Sequence, residues 1–420
     1  MLSAPSLDSL APRTVPLADG RDLQLFVSEA SSLVKLDLTF EAGSRYQWLK
    51  SQAHAASQLV GEATALHEEA WVAEFLDFRG ITLERSADVC TATLSFYFLR
   101  RYAAELLPVL REMVERPRIT PSLFDAYVRR RRHQLLTSAQ KTSAVARNHF
   151  YSHLYGPDHP LGTYATAEDL DALHLDDVVA FVARHYRLAE ASIVLSGSVD
   201  DELVALVDSS LASPEPSRPV AMPALPPSGL VEAAAAPGRW HVAVPSAVQA
   251  TIRVGRVLPY TWDDPAYARF MVLNTVLGGY FGSRLMSNLR EEKGYTYGIY
   301  SQTQIFRGQI VFFITADVSA EAAEAACGEI LSEMHRLFSE PVGEAELERV
   351  CNFMMGDFIR SIDGVLEIAE RYRHMRATAV GDRFTERYLA TLGEVTPEQL
   401  IPLAQNIFAP ADLTIVTASR

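Results

Sequence analysis

The sequence predicts an α+β protein made of two similar halves, each an antiparallel sheet with helices packed on one face. Three observations lead to this prediction. Short segments alternate apolar and polar residues, which is typical of half-buried strands, and longer segments show helical periodicity. The same order of elements recurs on both sides of a proline-rich segment. The length of 420 residues also exceeds that of one ordinary hydrophobic core.

The first half, residues 1–212, begins its regular structure with the segment LVKLDLTF, in which apolar and polar residues alternate over most of the length. A half-buried strand requires that alternation. The remaining elements follow from the same two periodicities. Strands are predicted at 33–40, 81–85, 90–99 and 192–196, and helices at 51–76, 102–114, 121–155 and 167–185.

Residues 213–238 separate the halves and contain seven prolines. Proline fixes φ and lacks an amide donor, so this segment is predicted to be an extended linker. The second half, residues 239–420, repeats the order of the first, and a cleft between the halves is a natural place for a ligand. Its strands are predicted at 248–257, 297–303, 309–316 and 413–417, and its helices at 265–277, 320–338, 344–375 and 397–408.

Composition excludes several classes of protein. A formal net charge of -14 opposes general binding to nucleic acid; it favours solubility, or attraction of basic peptides. Cys90, Cys327 and Cys351 are odd in number and lack CxxC spacing, which predicts buried thiols in a reducing compartment. No segment approaches the roughly 20 apolar residues of a membrane span, and the first residues do not resemble a secretory signal. We therefore expect a cytoplasmic protein without membrane association.

Four segments carry recognisable motifs. Residues 41–45 and 51–59 read EAGSR and SQAHAASQL, residues 155–162 read YGPDHPLG, and residues 277–297 read LGGYFGSRLMSNLREEKGYTY. These segments resemble motifs of the pitrilysin/insulinase (inverzincin) family of zinc peptidases. Together with the duplicated order of elements, the resemblance covers nearly the whole chain.

The resemblance implies that this chain has lost the zinc site of the family. The family motif is HxxEH, in which two histidines four residues apart bind zinc and the glutamate is the general base. Here His54 stands at the first histidine, Ser57 at the base and Gln58 at the second histidine. A distant glutamate, the third ligand, would fall near His133 and Gln134. We therefore expect neither metal nor catalysis in this chain's own motif.

Other groups could in principle hold a metal or a nucleic acid. His149 and His153 are four residues apart on a predicted helix, but no acidic base accompanies them, and a helix-surface or capping role is simpler. His67, Glu68 and Glu69 lack metal-ligand spacing and fit a solvated helix face. The run 129–132 contains four arginines, which spread around a helix and favour local ion pairs, at most a partner surface.

The second half keeps residues that the family uses on substrate. By motif position, Arg290 and Tyr297 match an arginine and a tyrosine that face the zinc across the cleft and hold the peptide. The alternative is that Arg290 forms a helix ion pair and Tyr297 begins a strand. Gly278, Gly279 and Gly282 resemble the glycine-rich loop of non-catalytic subunits of mitochondrial processing peptidase. The context of a phosphate-binding loop, strand–GxxxxGK[ST]–helix, is missing.

Three hypotheses follow. In the first, the chain is a non-catalytic subunit of a heterodimeric zinc metallopeptidase, and a partner with HxxEH supplies the zinc while Arg290 and Tyr297 act in trans on a peptide substrate. In the second, it is a structural or binding module of the same fold without peptidase function, like core proteins of respiratory complexes. In the third, it is a self-sufficient hydrolase with a metal site rebuilt around His54, His133 or the pair His149 and His153.

Overall fold

Two sheets organise the chain, for which the computed structural model describes residues 10–28, 32–212 and 237–420. The first sheet has six strands in the order β1-β2-β6-β3-β5-β4, and the second has five in the order β7-β11-β8-β10-β9. The strands of the first sheet are β1 (Arg13–Pro16), β2 (Asp22–Val27), β3 (Leu33–Phe40), β4 (Thr82–Ala87), β5 (Ala92–Leu99) and β6 (Ser192–Gly197). Those of the second are β7 (Gly238–Ala243), β8 (Gln249–Val257), β9 (Thr296–Phe306), β10 (Gln309–Ser319) and β11 (Thr414–Ser419).

The predicted α+β class with two similar halves is confirmed, with one correction to the sheets. They were expected to be antiparallel throughout, but β2 pairs in parallel with β6, and β7 in parallel with β11. A parallel pair requires a long crossover connection. The last strand returns beside β2 in the first half and beside β7 in the second, so the intervening segments form that crossover. The prediction had missed β1, β2 and β7.

The helices lie in both halves, and all but α5 and α11 stay with their own half. The first half contributes α1 (Gln52–Leu59), α2 (Glu69–Arg79), α3 (Ala103–Glu115), α4 (Pro121–Ala139), α5 (Thr142–Tyr155), α6 (Leu175–His185) and α7 (Asp201–Leu211). The second contributes α8 (Pro265–Asn274), α9 (Ala323–Ser339), α10 (Glu344–Arg360), α11 (Val365–Ala377), α12 (Arg383–Glu394) and α13 (Pro397–Ile407). The prediction had missed α7 and α12.

Three segments predicted as long helices are each divided in two. The break after α1 contains Gly61 at φ +80°, and the break before α11 contains Gly364 at φ +126°. Glycine adopts these backbone angles at little cost, whereas other residues rarely do. The third division falls between α4 and α5, at residues 140 and 141. It turns one predicted helix into a hairpin, which lets α5 leave its own half.

Two helices cross from one half to the other. Helix α5 of the first half packs on β8 and β11, on the face of the second sheet that its own helices leave open. Helix α11 of the second half packs on β2 and β6, on the corresponding face of the first sheet. Each half therefore covers the outer face of the other's sheet, and the two are interlocked.

The predicted linker lies almost wholly outside the described residues, since 213–236 are not among them. The division into 1–212 and 239–420 therefore stays a prediction. Cys90 and Cys327 are buried, Cys351 is half-buried, and all three are free thiols. No helix in the described ranges is both long enough and apolar enough to cross a bilayer.

Candidate functional site

Helix α1 carries the degenerate motif on a mostly buried turn. His54 and Gln58 are half-buried and stand four residues apart on one helix face. Ser57 is 1% exposed, and its hydroxyl donates to the backbone carbonyl of His54 at 2.9 Å. At the position of the general base there is thus a hydroxyl that is bonded into the helix, with no carboxylate to accept a proton.

The His54 imidazole is held in its neutral form. Its Nδ1 lies 3.0 Å from the hydroxyl of Tyr127 on α4. Burial, followed by the positive charges of Arg131 and Arg130, lowers the pKa of His54 to about 4. The same guanidinium charges oppose a zinc ion at this place.

The side chains from α4 that reach α1 are not those predicted. His133 and Gln134, the expected positions of the distant ligand, are exposed. Tyr127 contacts His54 instead, and Arg131, one helical turn later, lines the same cavity as His54. The spacing of Tyr127 and Arg131 on one helix face was visible in the sequence, but it carries no metal or catalytic signature.

The residues present do not fit a zinc ion. One imidazole, one hydroxyl engaged with the backbone and one amide make a poor donor set for zinc, which prefers several imidazole, thiolate or carboxylate ligands. Within the ranges that the structure describes, no three His, Cys, Asp or Glu side chains come together as metal ligands.

The other histidines singled out are engaged in packing. The rings of His149 and His153 have centroids 6.3 Å apart, and His153 stacks on Trp240 at 4.1 Å. Burial lowers the pKa of both. His67 stacks on Trp71 at 3.5 Å. In the arginine run, Arg132 forms an ion pair with Asp171 at 2.5 Å, which accords with the expected local ion pairs.

The glycine-rich segment is shaped by close packing. A Cβ on Gly278 would lie 2.8 Å from the hydroxyl of Ser301 on β9, and one on Gly279 would lie 3.1 Å from the hydroxyl of Thr275. The segment Thr275–Gly279 is π-helical, which widens the last turn of α8 where it meets the sheet. Packing against β9 thus accounts for Gly278 independently of any substrate.

Arg290 and Tyr297 lie on the surface of the second half. Arg290 stands on the π-helical segment Met286–Glu292, and its guanidinium lies 4.5 Å from the centre of the exposed Phe281 ring. No ion pair joins it to a carboxylate in the described part of the chain, in contrast to the helix ion pair considered above. Tyr297 begins the edge strand β9 and is 94% exposed.

A cavity of about 880 Å³ lies between the two halves, and His54 lines it. On the other side, β9 lines it from Thr303 to Phe306. Tyr297 is six residues before Thr303, about 20 Å away at the rise of a strand. Tyr297 is accordingly not among the described residues that line the cavity with His54.

The EAGSR segment joins the halves beside this cavity. Both oxygens of Glu41 accept from the Arg307 guanidinium, at 2.5 and 2.6 Å, and the Tyr46 hydroxyl donates to the same carboxylate at 2.5 Å. Gly43 lies so close to the next loop that a Cβ would be 2.4 Å from the Val89 carbonyl. The resemblance had located this segment, but its contact with Arg307 depends on the second half.

Comparisons with known proteins find zinc proteases and their inactive homologues. Residues 172–354 match the family model described as the peptidase M16 inactive domain. An uncharacterized zinc protease of Streptomyces coelicolor is 24% identical over 264 residues, which are 61% of this chain and 56% of the relative. The probable inactive metalloprotease YmfF of Bacillus subtilis is 22% identical over 159 residues, 38% of this chain and 37% of that protein. The matches thus span little more than half of these relatives, or less.

A solved structure shows the same fold. The peptidase M16 inactive domain from Pseudomonas fluorescens superposes with a TM-score of 0.83 at 21% identity, covering 97% of this chain and 98% of that one.

Proposed function

We propose that this chain, a non-catalytic member of the peptidase M16 family, is one subunit of a heterodimeric zinc metallopeptidase. A partner of the same fold supplies the zinc, its ligands and the general base. This chain supplies half of the substrate chamber and two side chains, Arg290 and Tyr297, that act on the peptide in trans. The observation that carries the proposal is that Tyr297 is 94% exposed and is not among the described residues that line the cavity beside the chain's own His54.

The first step is that this chain does not hydrolyse peptides alone. Zinc-dependent hydrolysis needs a metal-bound water and a base that accepts its proton. His54 offers one imidazole beside the positive charge of Arg131, and Ser57 offers a hydroxyl already bonded to the backbone. Neither group replaces a carboxylate base, so the chemistry has to come from another chain.

The second step concerns the tyrosine. Tyr297 stands at the start of β9, an edge strand, with its side chain in solvent. A phenol in that position can donate a hydrogen bond to the oxyanion that forms when the peptide carbonyl is attacked. Donors aimed at a developing oxyanion typically contribute about 2.7–4 kcal/mol to the barrier.

The third step concerns the arginine. The Phe281 ring supports the guanidinium of Arg290 at 4.5 Å and leaves its donors free of a carboxylate partner within the described chain. Guanidinium groups bind carbonyl and carboxylate oxygens with paired donors. Arg290 is therefore suited to hold a backbone carbonyl or a terminal carboxylate of the substrate, and an edge strand nearby can align an extended peptide.

The test uses the heterodimer of this chain and its zinc-bearing partner. An HxxEH-bearing chain of the same fold is co-purified with this one, and peptide turnover is measured for the wild type and for Tyr297→Phe. We expect kcat to fall by about 100-fold or more, with the pair intact by size-exclusion chromatography. The control is Tyr300→Phe, a second exposed tyrosine on the same strand. Unchanged turnover with Tyr297→Phe would sink the proposal.

The alternative is a structural or binding module without peptidase function, and the naming of YmfF as an inactive metalloprotease is compatible with either. A stable homodimer that never joins an HxxEH chain would favour the module. The zinc content of the isolated chain distinguishes the peptidase subunit and the binding module from a self-sufficient hydrolase with a rebuilt metal site. We expect the isolated chain, incubated with zinc and desalted, to retain much less than one zinc per chain, whereas one tightly bound zinc would favour a site around the histidines.

A further inference from the structure

The cavity between the halves is positively charged, although the protein as a whole carries a net charge of -14. Its lining, among the described residues, includes five cationic side chains and one acidic side chain, Asp88. The cationic side chains are Lys50, Arg131, Arg147, Arg307 and Arg371. Both halves contribute to them, so the charge belongs to the assembled fold.

Two of the five cations are neutralised. Arg307 is bonded to both oxygens of Glu41, and Lys50 lies 3.5 Å from Asp169. The acidic side chain already accepts hydrogen bonds from its own loop. Asp88 accepts from the backbone N–H groups of residues 90 and 91, both at 2.6 Å, and from the Thr91 hydroxyl at 3.0 Å. Asp88 is the one acidic side chain in the described lining, so it can offset at most one of the three remaining positive charges.

Three guanidinium groups remain, those of Arg131, Arg147 and Arg371. Within the described ranges none of them forms an ion pair with a carboxylate. The Nε atom of Arg131 is buried without a hydrogen-bond partner. Arg371 is half-buried, with its guanidinium 5.0 Å from the centre of the Phe358 ring. Arg371 donates to the Thr385 hydroxyl at 3.3 Å and Arg147 to the Asn148 side-chain oxygen at 3.5 Å, both neutral acceptors. Partly desolvated guanidinium groups without a carboxylate partner favour an anionic ligand.

The shape of the cavity favours a peptide over a small ion. The last four residues of β9, 303–306, line it, together with Arg307 in the following turn. Successive side chains of a strand point to opposite faces of the sheet, so a cavity that contacts all of them runs along the strand edge. Because β9 is the edge strand of its sheet, its outer side is available for pairing with another extended chain.

Apolar side chains complete the wall. Tyr267, Met271 and Phe384 line the cavity from α8 and α12. The volume of about 880 Å³ lies within the usual range for pockets that enclose a ligand of several hundred daltons. An inorganic anion would leave most of this space and all of the apolar wall unused.

We propose that this cavity binds a short peptide that carries carboxylate side chains, held by Arg131, Arg147 and Arg371 and aligned along the edge of β9. The inference extends the proposed function by naming the charge of the peptide. Binding takes place within one chain, however, so it does not require the partner or its zinc. Failure of peptide binding by the isolated chain and failure of the Tyr297→Phe test are therefore separate results.

The charge state of His54 also bears on peptide binding. Because its imidazole is neutral above about pH 4, it adds no charge near neutral pH and can accept or donate a hydrogen bond to the peptide. Burial also lowers the pKa of His374, the other imidazole in the lining, while the guanidinium groups keep their charge.

The experiment measures binding of labelled peptides to the full isolated chain by fluorescence polarisation. Three peptides of about six residues share the same apolar residues and differ only in carrying glutamate, glutamine or lysine. We expect the glutamate peptide to bind at least about tenfold more tightly than the glutamine peptide, with weakening by salt. The lysine peptide should not bind measurably.

Variants locate the site. Arg131→Gln and Arg371→Gln should each weaken binding of the glutamate peptide by about tenfold, the value of one charge-assisted hydrogen bond. The matched control is Arg129→Gln, which removes an exposed arginine from the same run without touching the cavity lining. Thermal unfolding of each variant, followed by circular dichroism, shows whether the fold is retained.

Three outcomes would overturn the proposal. Equal affinity for all three peptides would remove the electrostatic argument. An equal effect of Arg129→Gln and Arg131→Gln would place binding outside the cavity. Citrate or phosphate binding as tightly as the glutamate peptide, and displacing it, would replace the peptide site with a simple oxyanion site.

Discussion

The two sheets are covered on their outer faces in the same way but by different chemistry. Over the first sheet, α11 brings a carboxylate, Glu370, to the ammonium of Lys35 on β3 at 2.7 Å. Asp37 on the same strand lies 3.1 Å from Lys35 and is fully buried. Over the second sheet, α5 brings Phe150, whose ring packs against Phe313 with centroids 6.5 Å apart. We call these the ionic cover and the aromatic cover.

The difference shows that two sheets covered in the same topological way can be stabilised by different kinds of interaction. The aromatic cover stabilises through buried apolar surface, which tolerates imperfect geometry. The ionic cover depends on charges that have lost water and must find partners. Removing one charged side chain of the ionic cover leaves its partner buried and unpaired. The free energy of unfolding should therefore fall by more than the intact ion pair contributes to it. The predictions below are ordered from the largest expected effect to the smallest.

The aromatic cover should be broken by Phe150→Ala. The Phe150 side chain is 0% exposed and contacts both halves. Its truncation leaves a cavity that the neighbours only partly fill, and it should lower the free energy of unfolding by about 4 kcal/mol. Guanidinium chloride denaturation measures the loss. A change below about 1 kcal/mol would mean that α5 contributes little to joining the halves. Phe78→Ala, at an 82% exposed phenylalanine, is the control.

The ionic cover should be broken by Lys35→Met. The variant leaves Asp37 buried at 0% exposure without its ammonium partner, and the cost should be about 3 kcal/mol. The double variant Lys35→Met/Asp37→Leu removes both charges and should recover most of the loss. A double variant that is as unstable as Lys35→Met would show that packing, and not the unpaired charge, is responsible.

The pH dependence of the ionic cover can be isolated with Glu370→Gln. Burial raises the pKa of Glu370, but hydrogen bonds and charge from Arg373 and Lys35 outweigh it and bring the pKa to about 2. Because this pKa lies below the ordinary value of 4.5, the stabilisation is fully present above pH 4.5 and is lost as the pH falls toward 2. The carboxylate is 47% exposed, so we expect less than about 1 kcal/mol.

The measurement compares the urea midpoints of wild type and Glu370→Gln between pH 7 and pH 3. The difference should shrink as the pH falls, while burial raises the pKa of Asp37 in both proteins and so cancels from the comparison. Glu324→Gln, which removes an exposed ion pair with Arg239 outside the cover, is the control. A difference independent of pH would contradict the assignment of the charge to Glu370.

The smallest effect is expected from Arg253→Met in the aromatic cover. Arg253 is 8% exposed, and its guanidinium lies 4.0 Å from the centre of the Phe313 ring. Burial lowers its pKa to about 10, and no carboxylate pairs with it in the described chain. Losing the cation–π contact is offset by relief of desolvation, so the change should be within about 1 kcal/mol. Replacing a buried cation by methionine should therefore be costly in the ionic cover and nearly neutral in the aromatic cover. Equal losses in the free energy of unfolding for Lys35→Met and Arg253→Met would remove the contrast.

The sequence predicted many individual elements closely, and strand 33–40 coincides with β3. Its environment was predicted less well. Alternation indicated a half-buried strand, yet Lys35 and Asp37 on the polar face are 3% and 0% exposed, because α11 covers them. A periodic pattern reports which residues share a face, and it does not report what a segment more than 300 residues later will place there. The same limit applies to the site, where Tyr127 contacts His54 while the predicted positions His133 and Gln134 are exposed.

By itself, the sequence determined the α+β class, the repetition of the halves and the degenerate motif at His54, Ser57 and Gln58. These follow from residue types and local spacing, which the chain carries before it folds. Only the tertiary structure decided that α5 and α11 exchange halves, that Arg131 stands beside His54, and that three guanidinium groups without a carboxylate partner among the described residues line one cavity with β9. Those contacts join segments distant in sequence, and their energies depend on burial and on partners that exist only once both sheets are in place.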